Sequence, residues 1–381
     1  MFTRYATAAL ALCAGASAAP LADLAKRQGQ NIDVTVLQFA LTLEHLENVF
    51  YRQAVNKFDE HDFEKAGFSK DYYNNLKYIA YDEQQHVQLL SNALSAAGVT
   101  PVQECTYNFP YEDVRGFVTL SSVLEGVGTS AYLGGAPLIT SDQYLTTAGS
   151  ILAVEALHTS YQRNALNKVP FANPLYTSLD PTSVFSIAAM FIDQCPSDNP
   201  SLPFTAYPAL TVKDDTCNCE QDSCKDHQYK KREPGLLGDG GLLGDGGLLG
   251  KDGLVDELLG HNDDLMQCTP PMAGATVSFN AATSDQASLP ADPYLTFVSG
   301  LSVTSVKAQV DGKVLEASSY ERNTHTFAGS TVSAAIPDIA MGQTYVFVSS
   351  SDVEGSLDNS QVVFGPAVLE VAPPKPALNY H

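Results

Sequence analysis

Two copies of the pattern Glu-x-x-His, at residues 83–86 and 155–158, constrain this chain more than any other feature. Each copy follows an apolar helical stretch that carries a lone glutamate, Glu44 in the first case and Glu125 in the second. Because residues three apart lie on one face of a helix, each pattern directs a carboxylate and an imidazole towards one point. The order Glu, Glu-x-x-His, Glu, Glu-x-x-His predicts a four-helix bundle with a dinuclear carboxylate centre.

The predicted ligands of this centre are six side chains, Glu44, Glu83, His86, Glu125, Glu155 and His158. Carboxylates and imidazoles are hard donors that suit iron or manganese, so the expected cofactor is a pair of Fe or Mn ions. A buried carboxylate without a partner is costly, and four of them in apolar segments need a common cause. Two alternatives stay open at this point. The carboxylates could form protonated or hydrogen-bonded pairs without metal, or Glu125 or Glu155 could face solvent.

The hydrophobic pattern predicts four long helices before residue 168, at about 32–56, 70–97, 113–133 and 141–167. The connection over residues 98–112 is long enough to cross the length of a bundle, as a single crossover requires. A short fifth helix is predicted at about 181–192. Residues 31–213 are therefore predicted to form the helical domain.

The pattern changes after this domain. Residues 214–270 hold an acidic, cysteine-rich segment and a repeat of glycines and leucines from Gly235 to Gly253, which predicts a flexible linker. The basic run Lys230-Lys231-Arg232 within it is a candidate processing site. From residue 271 to residue 373 the period becomes two, and segments such as 303–310 are expected to be strands. These short strands predict a small β-sandwich, in which we find no catalytic cluster.

The first 19 residues predict a secretory signal peptide, because Arg4 precedes a small and apolar run that ends in alanines. Residues 20–30 contain Lys26-Arg27 and are expected to be a propeptide. The protein should therefore be secreted, to the medium or to the cell wall. Six cysteines remain as disulfide candidates, Cys105, Cys195, Cys217, Cys219, Cys224 and Cys268. They allow three bonds at most, and a Cys105–Cys195 bond would join the crossover to the fifth helix.

The formal net charge of −22 and the isoelectric point of about 4.5 argue against nucleic acid or an anionic membrane as partners. No later segment has the run of apolar residues that a membrane span needs. A cell-wall polymer or a protein that binds the β-sandwich is the expected partner.

Three segments, 40–47, 82–86 and 154–158, resemble the secreted fungal ferritin-like family. That family includes stress-responsive and late-sexual-development proteins and is related to plant desiccation-related proteins. The resemblance covers roughly residues 31–213 and implies a ferritin-like bundle with the six ligands given above. It implies a role in stress response or sexual development, by iron oxidation or peroxide disposal. The alternative is a structural or matrix protein of developing fungal cells, in which the metal site is vestigial or only stabilising. The sequence does not decide whether the protein is an enzyme.

The same resemblance singles out residues around the ligands. Glu47 is a rival to Glu44, since it lies one turn further along the same helix. Glu44 is preferred because Tyr51 follows it by seven residues, a spacing similar to that of the first helix of ferritins. Tyr132 stands in the same relation to Glu125, which indicates two-fold character.

Asp82, directly before the first Glu-x-x-His, resembles an aspartate that orients a histidine ligand in bacterial multicomponent monooxygenases. The second motif has Val154 at that position, and Gln85 stands where those enzymes have an arginine. Oxygenase chemistry is therefore not expected from the resemblance alone.

Overall fold

A computed structural model describes residues 31–213, 270–283, 287–311 and 329–375. The predicted signal peptide, propeptide and linker lie outside the described residues. So do four of the disulfide candidates, Cys217, Cys219, Cys224 and Cys268. None of the helices in the described part of the chain is long and apolar enough to cross a membrane.

Six α-helices are present in these ranges, α1 Ile32–Lys57, α2 Glu60–Lys65, α3 Lys70–Ala96, α4 Val114–Gly135, α5 Asp142–Ala165 and α6 Pro181–Ala188. Each begins after an asparagine, aspartate or serine whose side chain accepts a hydrogen bond from a backbone N–H of the first turn. The four long helices agree with the predicted ones to within a few residues and form the bundle. The short helix α2 was not predicted, because one turn shows no hydrophobic period.

The crossover between α3 and α4 is fastened to the segment after α6. Strand β1 (Thr106–Tyr107) pairs with strand β2 (Ile192–Gln194), and this pairing explains why α6 ends at Ala188 rather than near residue 192. A disulfide joins Cys105 to Cys195 beside these strands, the pairing proposed from the sequence.

The described strands of the β-region are β3 Leu210–Val212, β4 Thr276–Ala281, β5 Tyr294–Ser299, β6 Ser302–Lys307, β7 Gln309–Asp311, β8 Ser330–Ala335, β9 Gly342–Ser349 and β10 Val362–Val371. They form two four-stranded antiparallel sheets with strand orders β10-β9-β5-β6 and β3-β4-β8-β7. The single strand expected at 303–310 is two strands, β6 and β7, which lie in different sheets. Strand β8 was not expected, because its serines, alanines and single threonine show no alternation.

Strand β3 corrects the predicted domain limits. It lies before residue 213, inside the range assigned to the helical domain, yet it pairs with β4 of the sandwich. The chain therefore enters the sandwich before the segment 214–269 and continues it afterwards. The residues before and after the segment 214–269 are thus joined by the pairing of β3 with β4 as well as by the covalent chain.

The sandwich packs directly against the bundle. Val298, Tyr345, Phe347 and Val368 belong to the same cluster of buried apolar side chains as the core of the bundle. Helix α4 is consequently covered on all sides, and every residue from 116 to 130 is buried. A helix that is apolar all round is stable only when it is enclosed in this way.

Candidate metal centre

The bundle brings all six predicted ligands to one place in its core. Helix α1 supplies Glu44, α3 supplies Glu83 and His86, α4 supplies Glu125, and α5 supplies Glu155 and His158. The four glutamates are 0 % exposed and the two histidines are also buried. The alternative in which Glu125 or Glu155 faces solvent is therefore wrong.

The ligand atoms fall into two overlapping groups. One group contains Glu44, Glu83, His86 and Glu155, the other contains Glu83, Glu125, Glu155 and His158, and within each group the ligand atoms lie within 4.8 Å of one another. Glu83 and Glu155 are common to both groups and so lie between them. Each group is able to hold a metal ion, and the shared carboxylates could bridge the two.

Eight ligand atoms of these residues are buried without a hydrogen-bond partner. They are Glu44 Oε2, both carboxylate oxygens of Glu83 and of Glu155, Glu125 Oε2, and the Nδ1 atoms of His86 and His158. Buried polar atoms are normally paired, so a group of unpaired ones requires a physical cause. These atoms converge, and their chemistry is that of hard donors for a cation. The donor set fits metal ions.

The two imidazoles face carboxylates rather than apolar side chains. The Nδ1 atom of His86 lies 3.2 Å from Glu44 Oε2 and 3.4 Å from Glu155 Oε1. The Nδ1 atom of His158 lies 3.0 Å from Glu83 Oε1 and 3.3 Å from Glu125 Oε2. Both rings therefore aim a lone-pair position at the shared space between the helices.

Asp82 contacts the histidine of the other motif. Its Oδ2 atom lies 3.3 Å from His158 Nε2, so the carboxylate holds the ring with Nδ1 directed inward. The residue is partly exposed, with 42 % of its side-chain surface accessible. The contact with His158 is compatible with the orienting role expected of Asp82, which stays a prediction.

The two tyrosines contact the ligands crosswise. The hydroxyl of Tyr51 donates to Glu125, and that of Tyr132 donates to Glu44, so each tyrosine serves the glutamate of the other helix. The two-fold character expected from the spacing is present, but the pairs are exchanged between α1 and α4. Gln162, which was not predicted, donates to the hydroxyl of Tyr51 at 3.2 Å. Its place one turn after His158 on α5 was the only signal in the sequence.

Burial and mutual contact shift the ionisation of the centre. Burial raises the pKa of Glu44 to about 7 and raises that of Glu155 well above its usual range. Burial alone would also raise the pKa of Glu83, but the two histidines lower it to about 2. Burial opposes protonation of His158, yet Glu125 and Glu83 raise its pKa to about 12, and the pKa of His86 is raised in the same way. Without bound metal, the neighbouring carboxylates therefore favour the positively charged form of both imidazoles.

Glu47 is a fifth buried carboxylate beside this centre. It belongs to neither ligand group, which supports Glu44 as the residue of α1 within the centre. Burial raises its pKa well above the usual range, and the charge of Glu155 adds to this effect. The sequence had offered Glu44 and Glu47 as rivals, whereas the structure buries both.

Comparison with known proteins concerns the helical part of the chain. Residues 32–168 match the family model of the ferritin-like domain. Protein rds1 of Schizosaccharomyces pombe is 24 % identical to this chain over 180 residues, which are 47 % of this chain and 44 % of that protein. The chain thus matches less than half the length of this relative. The resemblance to a fungal ferritin-like family is confirmed, and it applies to the helical part.

Proposed function

Because residues 32–168 form a domain of the ferritin-like family, we propose that this protein binds two iron or manganese ions in its core. Glu44 and His86 would hold one ion, Glu125 and His158 the other, and the carboxylates of Glu83 and Glu155 would lie between them. The observation that carries this proposal is the convergence of eight buried, unpaired donor atoms. Such a pair of ions would supply two-electron chemistry, which suits the oxidation of Fe(II) by dioxygen or the disproportionation of peroxide to water and dioxygen.

The surrounding residues would keep the ligands in place. Tyr51 and Tyr132 each donate a hydrogen bond to a ligand glutamate and leave its other oxygen free. Asp82 holds the ring of His158, and the apolar side chains around the carboxylates exclude water. Low local polarity strengthens every electrostatic interaction between ligand and cation. The metal-free centre is therefore preorganised for positive charge.

We further propose that the protein is exported and acts in stress response or sexual development. The predicted signal peptide and the Cys105–Cys195 disulfide support export, since disulfides persist mainly in oxidising compartments. The resemblance to stress-responsive and late-sexual-development proteins supports the biological role. The outer face of the sandwich would bind a cell-wall polymer or a protein.

Metal analysis of the purified full chain tests the proposal. We expect about two iron or manganese ions per chain, as in dinuclear carboxylate sites. His86→Ala and His158→Ala should each lower the metal content while far-ultraviolet circular dichroism keeps its helical signal. His61→Ala, on the exposed surface of α2, is the matched control and should keep the full content. Full metal content in both core variants would show that the ligands have been misassigned.

Turnover separates the two functions that the sequence left open. Metal-loaded protein should oxidise Fe(II) with dioxygen or convert peroxide to water and dioxygen, and His86→Ala should abolish either activity. If the loaded protein binds metal but turns over neither substrate, the structural alternative is the better one. The ions would then act by stabilising the folded chain.

A further inference from the structure

Glu47 is a buried acid that the proposed centre does not use. It lies on α1 one turn after Glu44 and is 4 % exposed, whereas the four ligand glutamates are 0 % exposed. No residue in the described parts of the chain donates a hydrogen bond to it. A buried carboxylate with neither a hydrogen bond nor a cation is costly, so its presence calls for a function.

The carboxylates of Glu47 and Glu155 meet over a glycine. A Cβ atom added to Gly128 would lie 2.8 Å from Glu47 Oε1 and 2.7 Å from Glu155 Oε2. Because residue 128 is a glycine, α4 has no side chain at the position that both carboxylate oxygens approach. Neither oxygen of Glu155 has a hydrogen-bond partner, so a donor atom without a partner points into this space.

We propose that Glu47 and Glu155 form a loading site, at which a divalent cation is held on its way from solvent into the centre. This proposal rests on the proposed function. Among the five inward glutamates of the centre and its surroundings, Glu47 is the one that keeps contact with solvent, and Glu155 belongs to both ligand groups. A cation held by two carboxylates keeps most of its water and is bound weakly, which suits passage.

The opposite side of the centre offers the competing route. There Asp82 is partly exposed and lies against His158, so a cation could also arrive between α3 and α5. Carboxylates that line a narrow approach raise the local concentration of cations and can speed their arrival by about 10- to 1,000-fold. The loading rate, rather than the final metal content, is therefore the quantity that distinguishes the two routes.

Co²⁺ uptake by the metal-free full chain, followed in a stopped-flow spectrophotometer by its visible absorption, tests the loading site. Glu47→Gln keeps the shape of the side chain and replaces the carboxylate that would bind the cation by a neutral amide. We expect this variant to load about tenfold more slowly than wild type, the lower end of the electrostatic range, and to reach the same final Co²⁺ content. Gly128→Ala should also slow loading, because its Cβ displaces both carboxylates. Asp71→Asn, an exposed acid of α3, is the control and should load at the wild-type rate.

Other results would overturn the loading site. If Glu47→Gln loads at the wild-type rate, Glu47 and Glu155 are not a loading site. Slow loading of Asp82→Asn in the same experiment would show that the cation enters between α3 and α5. Loss of bound Co²⁺ at equilibrium in Glu47→Gln would make Glu47 a ligand of the centre instead. Failure of the wild-type chain to bind Co²⁺ is a different result, since it refutes the proposed function itself.

Discussion

A buried ion pair between the bundle and the sandwich should hold the two parts together as one folding unit. The guanidinium of Arg163, on α5, is 4 % exposed and donates to both oxygens of Glu370, on β10, at 2.8 and 2.9 Å. Lys168 lies 3.8 Å from the same carboxylate. Replacing Glu370 by glutamine would leave two cations close together, one of them almost fully buried, without a counter-charge.

Removal of one partner of a buried pair costs about 3–5 kcal/mol. The carboxylate of Glu370 keeps 21 % exposure, so water will offset part of the loss. We expect Glu370→Gln to lower the free energy of unfolding by about 3 kcal/mol, the lower end of that range. The combined change Arg163→Met and Glu370→Leu should cost less, because an apolar pair of similar volume removes both charges together.

Urea denaturation measures this effect, followed by circular dichroism for the helices and by tyrosine fluorescence, since the chain has no tryptophan and 18 tyrosines. Both signals should change in one transition. Asp292→Asn is the control, because Asp292 and Lys307 form an exposed pair in the same sandwich and their loss should cost at most about 1 kcal/mol. If Glu370→Gln costs no more than this control, the ion pair does not hold the two parts together.

Two further predictions follow from the centre and the disulfide. Metal affinity should rise with pH, because the raised pKa values of His86, His158 and Glu155 mean that a metal ion must displace protons. Calorimetry in two buffers should count at least two protons released, and a count of zero would contradict this direction of the pKa shifts. Cys105→Ser should lower the free energy of unfolding by about 3–4 kcal/mol, since the bond to Cys195 spans 90 residues. Urea denaturation with and without reductant checks it, because reductant should destabilise wild type by more than it destabilises the variant.

The ligand set could be predicted from the sequence because its information is local. A Glu-x-x-His on an apolar helical face buries a carboxylate that needs a cation or a hydrogen bond, and helical periodicity determines which residues face inward. Because each of the four helices buries such a face in the same core, the ligands converge. The exchange of tyrosines between helices could not be predicted in the same way. Tyr51 and Tyr132 were assigned by spacing along one helix, whereas their hydrogen bonds depend on how α1 and α4 pack.

We did not predict from the sequence that the sandwich packs against the bundle, although the apolar residues of α4 indicated it. From residue 116 to residue 130 its only charged side chain is Glu125. Three neighbouring helices cannot cover such a surface completely, so a further layer had to be present. A short strand such as Leu210–Val212 is not recognisable from three residues, and its pairing across a long segment is set by tertiary contacts. The glycine-rich linker suggested that the bundle and the sandwich are independent, whereas the apolar surface of α4 indicated that they are in contact.

The sandwich therefore packs against the bundle close to the metal centre. The hydroxyl of Tyr345, on β9, donates to the carbonyl oxygen of Gly126 at 3.2 Å and lies 2.8 Å from Ser130 Oγ. Gly126 is the residue directly after Glu125, and Gln343 occupies the space that a side chain there would need. The segment of α4 that presents a ligand on one face is thus held by the sandwich on another. Loss of the sandwich would expose this apolar face and loosen Glu125, so metal binding and the β-region should not be separable by truncation.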